Sequence, residues 1–329
     1  MKKIVIAAAL FTTINGISQQ VDDNVSVQTG YTNQVYYSFQ NGEVSNVINN
    51  DWDIAFDVST FGAGIRTNGQ VGIELYTTPY DTTQWANIDT TGMDNWIVNL
   101  DSDKNWGEGA FNADYDVNNS SDLGWGLYSS ITHFIVGNKT FILKYADGSV
   151  KKIWIKLLAS GNYTFVYSDL DNTNVINQTI TKSTYTGKNF VYYSLTSDSE
   201  IDTEPNSSDW DIVFTKYVTE VGPGMPYAVT GVLLNNGVTA YKDATVETNN
   251  ATFNNSIGLE TDINTIGYNW KSYDFNAGGY VLDDSATYFV QTVDGDIWSI
   301  GFTGFDGSIT GNMHLQSNKS NLQTLTIIH

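Results

Sequence analysis

Asp51-Trp52-Asp53-Ile54-Ala55-Phe56 returns 158 residues later as Asp209-Trp210-Asp211-Ile212-Val213-Phe214. In each block large apolar residues alternate with smaller or polar ones, the period of two that marks a β-strand. Four further blocks recur in the same order. Val35-Tyr36-Tyr37-Ser38 matches Val191-Tyr192-Tyr193-Ser194, and Trp125-Gly126-Leu127-Tyr128 matches Trp270-Lys271-Ser272-Tyr273. Thr140-Phe141, followed by Asp147-Gly148, matches Thr287-Tyr288, followed by Asp294-Gly295. Gly161-Asn162-Tyr163-Thr164-Phe165 matches Gly311-Asn312-Met313-His314-Leu315. An ordered set of repeated blocks signals a repeated structural unit.

The rest of the chain agrees with an all-β reading. Tyr, Val, Ile, Thr and Phe are abundant and suit a pleated, half-buried surface. Asp147-Gly148, Asn236-Gly237 and Asp294-Gly295 are hairpin-turn pairs, because both residues tolerate positive φ. Strands 140–145 and 150–156 therefore form one hairpin, and 287–293 and 296–302 its counterpart. No long stretch has helical period and caps. The expected plan is a signal peptide at 1–18, a β domain at 19–182 and a second at 183–329.

The first residues carry the export signal. Lys2 and Lys3 precede the apolar run Ile4 to Phe11, and Gly16-Ile17-Ser18 supplies small residues at a cleavage site. The apolar run is too short to span a bilayer. The chain is expected outside the cell, at its surface or in the periplasm.

The chain has 36 acidic and 15 basic residues, for a net charge of −21. That field repels phosphate backbones and anionic membranes, so neither nucleic acid nor a membrane is an expected partner. There is no cysteine. Disulfides, thiol catalysis, iron–sulfur clusters and a cysteine-linked lipid anchor are thereby excluded.

No grouping announces catalysis. His133, His314 and His329 are far apart and outside any zinc motif. His133 reads as part of an apolar strand, Ile131 to Ile135, and so as a core or edge histidine. His314, between Met313 and Leu315, is expected to face solvent. Asp53 and Asp211 occupy equivalent strand positions, which suits a framework role better than two carboxylates flanking one bond. The runs from Asp101 and from Asp114 begin like calcium loops but lack the required Gly and Glu. Exposed aromatics in the segment 80–119, among them Tyr80, Trp85, Trp96 and Trp106, are candidates for stacking on sugars or on a flat macrocycle. Met93 and Met225 lie in loops, where a thioether can reach a ligand iron.

The order Val-Tyr-Tyr-Ser, Trp-Asp-Ile-Ala-Phe, Ile65-Arg66-Thr67-Asn68-Gly69, a later Trp and an Asp-Gly hairpin resembles the HmuY-like family of Bacteroidetes. The second half resembles it through Trp210 to Phe214 and Thr230 to Val238. The resemblance implies two tandem compact β domains and capture of haem by His or Met ligands. Met93, His133, Met225 and Met313 are the axial candidates in this chain. The expected function is non-catalytic binding of a small ligand, with haem first and an extracellular glycan or adhesion target as the alternative.

Overall fold

The structure, a computed structural model, describes residues 20–244, 248 and 251–320. The export segment and His329 lie outside the described residues. Among the described residues every regular element is an antiparallel strand or a short 3₁₀ turn. The hairpin turns sit where the Asp-Gly pairs place them. Gly148 and Gly295 have φ of 84° and 85°, a region closed to most side chains. The flanking strands pair as Phe141↔Ile153 and Tyr288↔Ile300.

Two large outer sheets, of eight and five strands, each cover one face of a four-stranded inner sheet. The first inner sheet runs Ser199–Ile201, Phe190–Ser194, Ile54–Asp57, Ile65–Thr67. The second runs Pro226–Leu234, Ile212–Glu220, Asn33–Ser38, Gly42–Ile48. Between each inner sheet and its outer sheet lies a hydrophobic core. The first core joins Ile54, Phe56, Val191 and Tyr193 to Phe141, Ile153 and the fully buried Trp125. The second joins Tyr37, Ile212 and Phe214 to Tyr288, Ile300 and Trp270.

The pairing of the doubled blocks is crossed. The strand at Ile54 pairs with Tyr193 of the other half, and the strand at Ile212 pairs with Tyr37, in the same register. The aspartates fix this crossing. Asp53 takes a hydrogen bond from the backbone N–H of Leu195 at 2.6 Å, and Asp211 takes one from that of Phe39 at 2.8 Å. Both aspartates are buried. Each is therefore framework, and each ties its strand to a hairpin from the other half.

Two expectations change. The boundary at 182/183 cuts the first core, whose members run without interruption from Ile54 to Leu195. Lys182 itself is buried, with its ammonium on the carbonyls of Ser59 and Gly62. The second core takes Val25 to Phe39 and then Ile212 to Leu315. Its strand Val21–Ser26 completes the five-stranded sheet against Asn312–Lys319. One continuous segment is thus inserted into a core built from both ends of the chain.

The second change concerns the Trp-Asp-Ile strands. The chain bends at Asp53 and Asp211, so Trp52 and Trp210 do not share a face with Ile54 and Ile212. Trp52 packs with Ala55, Phe190 and Tyr192, and Trp210 with Tyr36, Val213 and Leu233. Both faces of each inner sheet are apolar, and the two inner sheets meet across these second faces.

A fragment covering 50–206 contains the whole first core and is expected to melt cooperatively by circular dichroism. A fragment covering 19–182 lacks Val191, Tyr193 and Leu195, each worth about 1.5–3 kcal/mol on burial. That is a large part of a domain's usual 5–15 kcal/mol, so this fragment is expected to show no cooperative melt.

Candidate functional site

The two inner sheets do not close completely. A cavity of about 100 Å³ remains between them. Its walls include the aromatic side chains Tyr36, Trp52, Trp106, Phe190, Tyr192 and Trp210, set among Asn68, Arg66, Asp101 and Glu204.

Corresponding residues meet here. The hydroxyls of Tyr36 and Tyr192 lie 3.0 Å apart, joining one sheet to the other. Tyr36 packs edge-on to Trp210 with centroids at 4.9 Å, and Tyr192 packs on Trp52 at 4.9 Å. Such ring pairs are fixed by the quadrupoles of the rings as well as by area. Trp106 closes the seam from the segment 80–119. Its indole N–H donates to the carbonyl of Leu234 at 2.7 Å, and its ring lies on Phe190.

The match between halves fails at two atoms. Trp52 gives its indole hydrogen to Asn49 Oδ1 at 2.8 Å. The residue equivalent to Asn49 beside Trp210 is Ser207, and Trp210 Nε1 has no partner. Asn68 and Asn235 each use Nδ2 to bind the carbonyl of the Trp in their own block, Trp52 and Trp210. Asn235 Oδ1 accepts from Asn189, whereas Asn68 Oδ1 accepts from nothing. Both unpaired atoms are buried, and both residues line the cavity.

Arg66, Asp101, Asp103 and Glu204 of the wall are held by other protein groups. Arg66 lies over the Trp106 ring at 5.1 Å and donates to the carbonyls of Ser102, Asn105 and Trp106. Its guanidinium is 3.8 Å from Asp101, which also accepts from the N–H of Ala110 and Thr67. Burial raises the Asp101 carboxyl, against the pull of Arg66. Asp103 accepts from Thr219 and from Asn264. The carboxylates of the run from Asp101 are thus turned to protein donors. No group of three or more His, Asp or Glu able to hold a metal occurs among the described residues.

Glu204 is the unusual acid. It is buried, and its two oxygens accept from the backbone N–H of Asn189 and of Phe190, both at 3.0 Å. Burial outweighs these bonds and pushes its carboxyl from 4.5 up to about 8.

The four axial candidates are not gathered. Met93 is half-buried in a 3₁₀ turn. His133 is a correction: it lies in an exposed turn with φ 58°, beside an Ile131 that is 90% exposed, and its ring meets the Tyr128 hydroxyl. The apolar run is broken there because the chain must reverse between Gly126–Tyr128 and Ile135–Gly137. Met225 stands exposed at the tip of a long hairpin. Met313 is fully enclosed in the second core. None of the four lines the cavity. His314 does face outward, toward Asp306. Trp85 and Trp96 are half-buried away from the cavity. Composition pointed to Trp106, but the other wall residues became a site only through the crossed pairing.

No family model matches this chain, and no curated protein matches its sequence. Among solved structures, it is similar to apo PinO from Porphyromonas gingivitis, with 9% identity and a TM-score of 0.35 over 93% of this chain and 99% of that one. It is similar also to the apo HmuY analogue of Tannerella forsythia, with 9% identity and a TM-score of 0.33 over 93% of this chain and 100% of that one.

Glu204 gives the protein a pH signature. Its folded pKa of about 8 lies above its ordinary 4.5, so between these values the folded state holds more protons than the unfolded state. The stability it contributes is complete below pH 4.5 and is lost as pH rises through about 8. Lys271, lowered by burial from 10.5 to about 7, acts in the opposite sense above pH 7. The difference between wild type and Glu204→Gln isolates the glutamate. Urea melts from pH 5 to pH 9 are expected to show a wild-type advantage that shrinks steadily as pH rises.

Proposed function

We propose that this chain is an exported, non-catalytic binding protein that encloses a small ligand between its two inner sheets. The observation that carries this reading is the aromatic-walled cavity left between the inner sheets, beside the half-exposed Trp52, Trp106 and Lys216. The wall carboxylates support a binding role over a catalytic one, since each is already held by protein donors. Export rests on the sequence of the first eighteen residues.

At about 100 Å³ the cavity is well below the roughly 300–1,000 Å³ of a drug-sized pocket. A porphyrin would not be enclosed whole in that space. A second reading, haem capture, rests on the resemblance in the sequence and requires another place on the molecule. Met225 favours it: the residue is 61% exposed, next but one to Tyr227 at 65%. Met93 and His133 are also reachable from solvent, whereas Met313 requires the second core to open.

Thermal melts of the full chain with a library of small neutral, cationic and anionic compounds test the first reading. A ligand at a hundred times its Kd is expected to stabilise by about 2.7 kcal/mol, and Trp52→Ala is expected to abolish the gain. A melt that no compound moves would sink the proposal. For haem, the absorption spectrum decides. A Soret shift lost in Met225→Ala supports that reading, and no shift at micromolar protein removes it.

A further inference from the structure

The second half carries an exposed structure that the cavity does not use. Trp270, the counterpart of Trp125, is buried in the second core, and the chain leaves it as a short hairpin, Lys271–Asp274 with Gly279–Leu282. This hairpin pairs only with itself, outside the larger sheets. A two-stranded hairpin is marginal alone, and this one leans on its rings. Tyr273 and Tyr280 are paired across the strands with centroids at 5.2 Å, and Phe275 packs on Tyr273 at 5.1 Å. Tyr280 packs on Phe305 at 4.6 Å, and Phe305 meets Trp270 at 5.7 Å. The rings thus form one ridge that runs from the core to the tip of the hairpin. Tyr280 is 41% exposed, Tyr273 45% and Phe275 88%. None of them lines the cavity.

Apolar side chains grouped in contact with water mark an interaction surface, and three observations narrow the partner. The first is size. An aromatic side chain buries about 150–250 Å² when covered, so these exposures offer roughly 250–450 Å². A stable protein–protein interface takes about 800 Å² from each partner. The ridge therefore suits a few sugar units better than a folded protein or a second copy of this chain. The second is charge. Strand alternation puts Lys271, Tyr273, Tyr280 and Leu282 on one face of the hairpin and Asp274 on the other. The charge on the ring face is that of Lys271, whose ammonium lies over Trp270 at 4.0 Å and Phe305 at 4.6 Å. It opposes a cationic partner at the ridge, while the net charge of −21 opposes an anionic one and a second copy. The third is ring type. The matching hairpin of the first half, Gly126–Tyr128 with Ile135–Gly137, exposes the aliphatic Leu127, Ile131 and Val136 beside Tyr128. Aliphatic chains offer area alone. A ring offers a negative face to the C–H side of a sugar, and a tyrosine adds a hydroxyl that both donates and accepts.

We infer that the ridge of Tyr280, Tyr273 and Phe275 is a second binding site, on the surface, and that it takes a neutral polysaccharide. Successive sugars lay their C–H faces on the rings, and the Tyr273 hydroxyl exchanges hydrogen bonds with sugar hydroxyls. The site shares no residue with the cavity, so its failure leaves the enclosed-ligand reading standing.

Affinity electrophoresis of the full chain in gels containing laminarin, dextran, galactomannan or neutral xylan tests this, with polygalacturonate as the anionic control. Retardation by at least one neutral polysaccharide is expected. Phe275→Ala is expected to weaken it about tenfold, the upper worth of one ring contact. The thermal melt of that variant is expected to be unchanged, because the side chain stands almost wholly in water. Tyr273→Phe keeps the ring and is expected to lose about fivefold, the worth of one neutral hydrogen bond. Ile131→Ala, on the matching hairpin of the first half, is expected to leave retardation as it is. Equal retardation of wild type, Phe275→Ala and Tyr273→Ala overturns the site. Stronger retardation by polygalacturonate than by any neutral polysaccharide overturns the ligand class. Sedimentation velocity and flotation with phosphatidylcholine vesicles cover the other occupants. A dimer or vesicle binding that is lost in Phe275→Ala, with no retardation by a neutral polysaccharide, overturns the inference in favour of that partner. No retardation in any of the neutral gels, with no other binding, overturns it as well.

Discussion

Two buried carboxylates hold this molecule in its arrangement. Asp53 and Asp211 each reach past the end of their own strand to a backbone N–H on a hairpin from the other half of the sequence. Each bond satisfies a buried donor, and a charge-assisted bond in a low-dielectric setting is among the stronger kinds. The bend that brings each carboxylate round also turns its neighbouring Trp to the opposite face. The crossed pairing and the aromatic seam between the inner sheets therefore have one local cause.

From that seam the site follows. Two sheets that bury apolar residues on both faces must pack against something on each side. One side takes an outer sheet and the other takes the second inner sheet. Where the halves match, the contact is satisfied and nearly symmetric, with Tyr36 facing Tyr192 in the manner of an isologous interface. Where they differ, it is not. Ser207 in place of an Asn, and an Asn68 whose oxygen meets no donor, leave two buried polar atoms without partners behind the aromatic wall.

Much of the fold was legible in the residues. The period of two, the Asp-Gly turns and the doubled blocks gave antiparallel sheets, and the paired aspartates read as framework because their positions were equivalent. The alternation misled at Trp52 and Trp210, where a pattern continuous in sequence is broken by a bend. It misled also at His133, because an apolar run with β-branched residues looks like a strand whether or not the chain reverses within it. Met313 stood out as a loop-or-strand candidate, but its alternation with His314 already placed it inward.

By itself the sequence determined the antiparallel β character, the hairpin turns, the acidic charge and the absence of thiol chemistry. These are local or compositional properties. Which strand pairs with which was decided only in the tertiary structure. The strands at Ile54 and Ile212 carry the same pattern, and so do the hairpins at Tyr37 and Tyr193. A period of two specifies a face and a register but not a partner. The partner is chosen by closure of two whole cores, a long-range property. The same closure makes a continuous 50–206 unit out of a sequence whose repeats divide it near residue 182. The cavity belongs to that level too, since its walls come from both halves and exist only once the inner sheets have met.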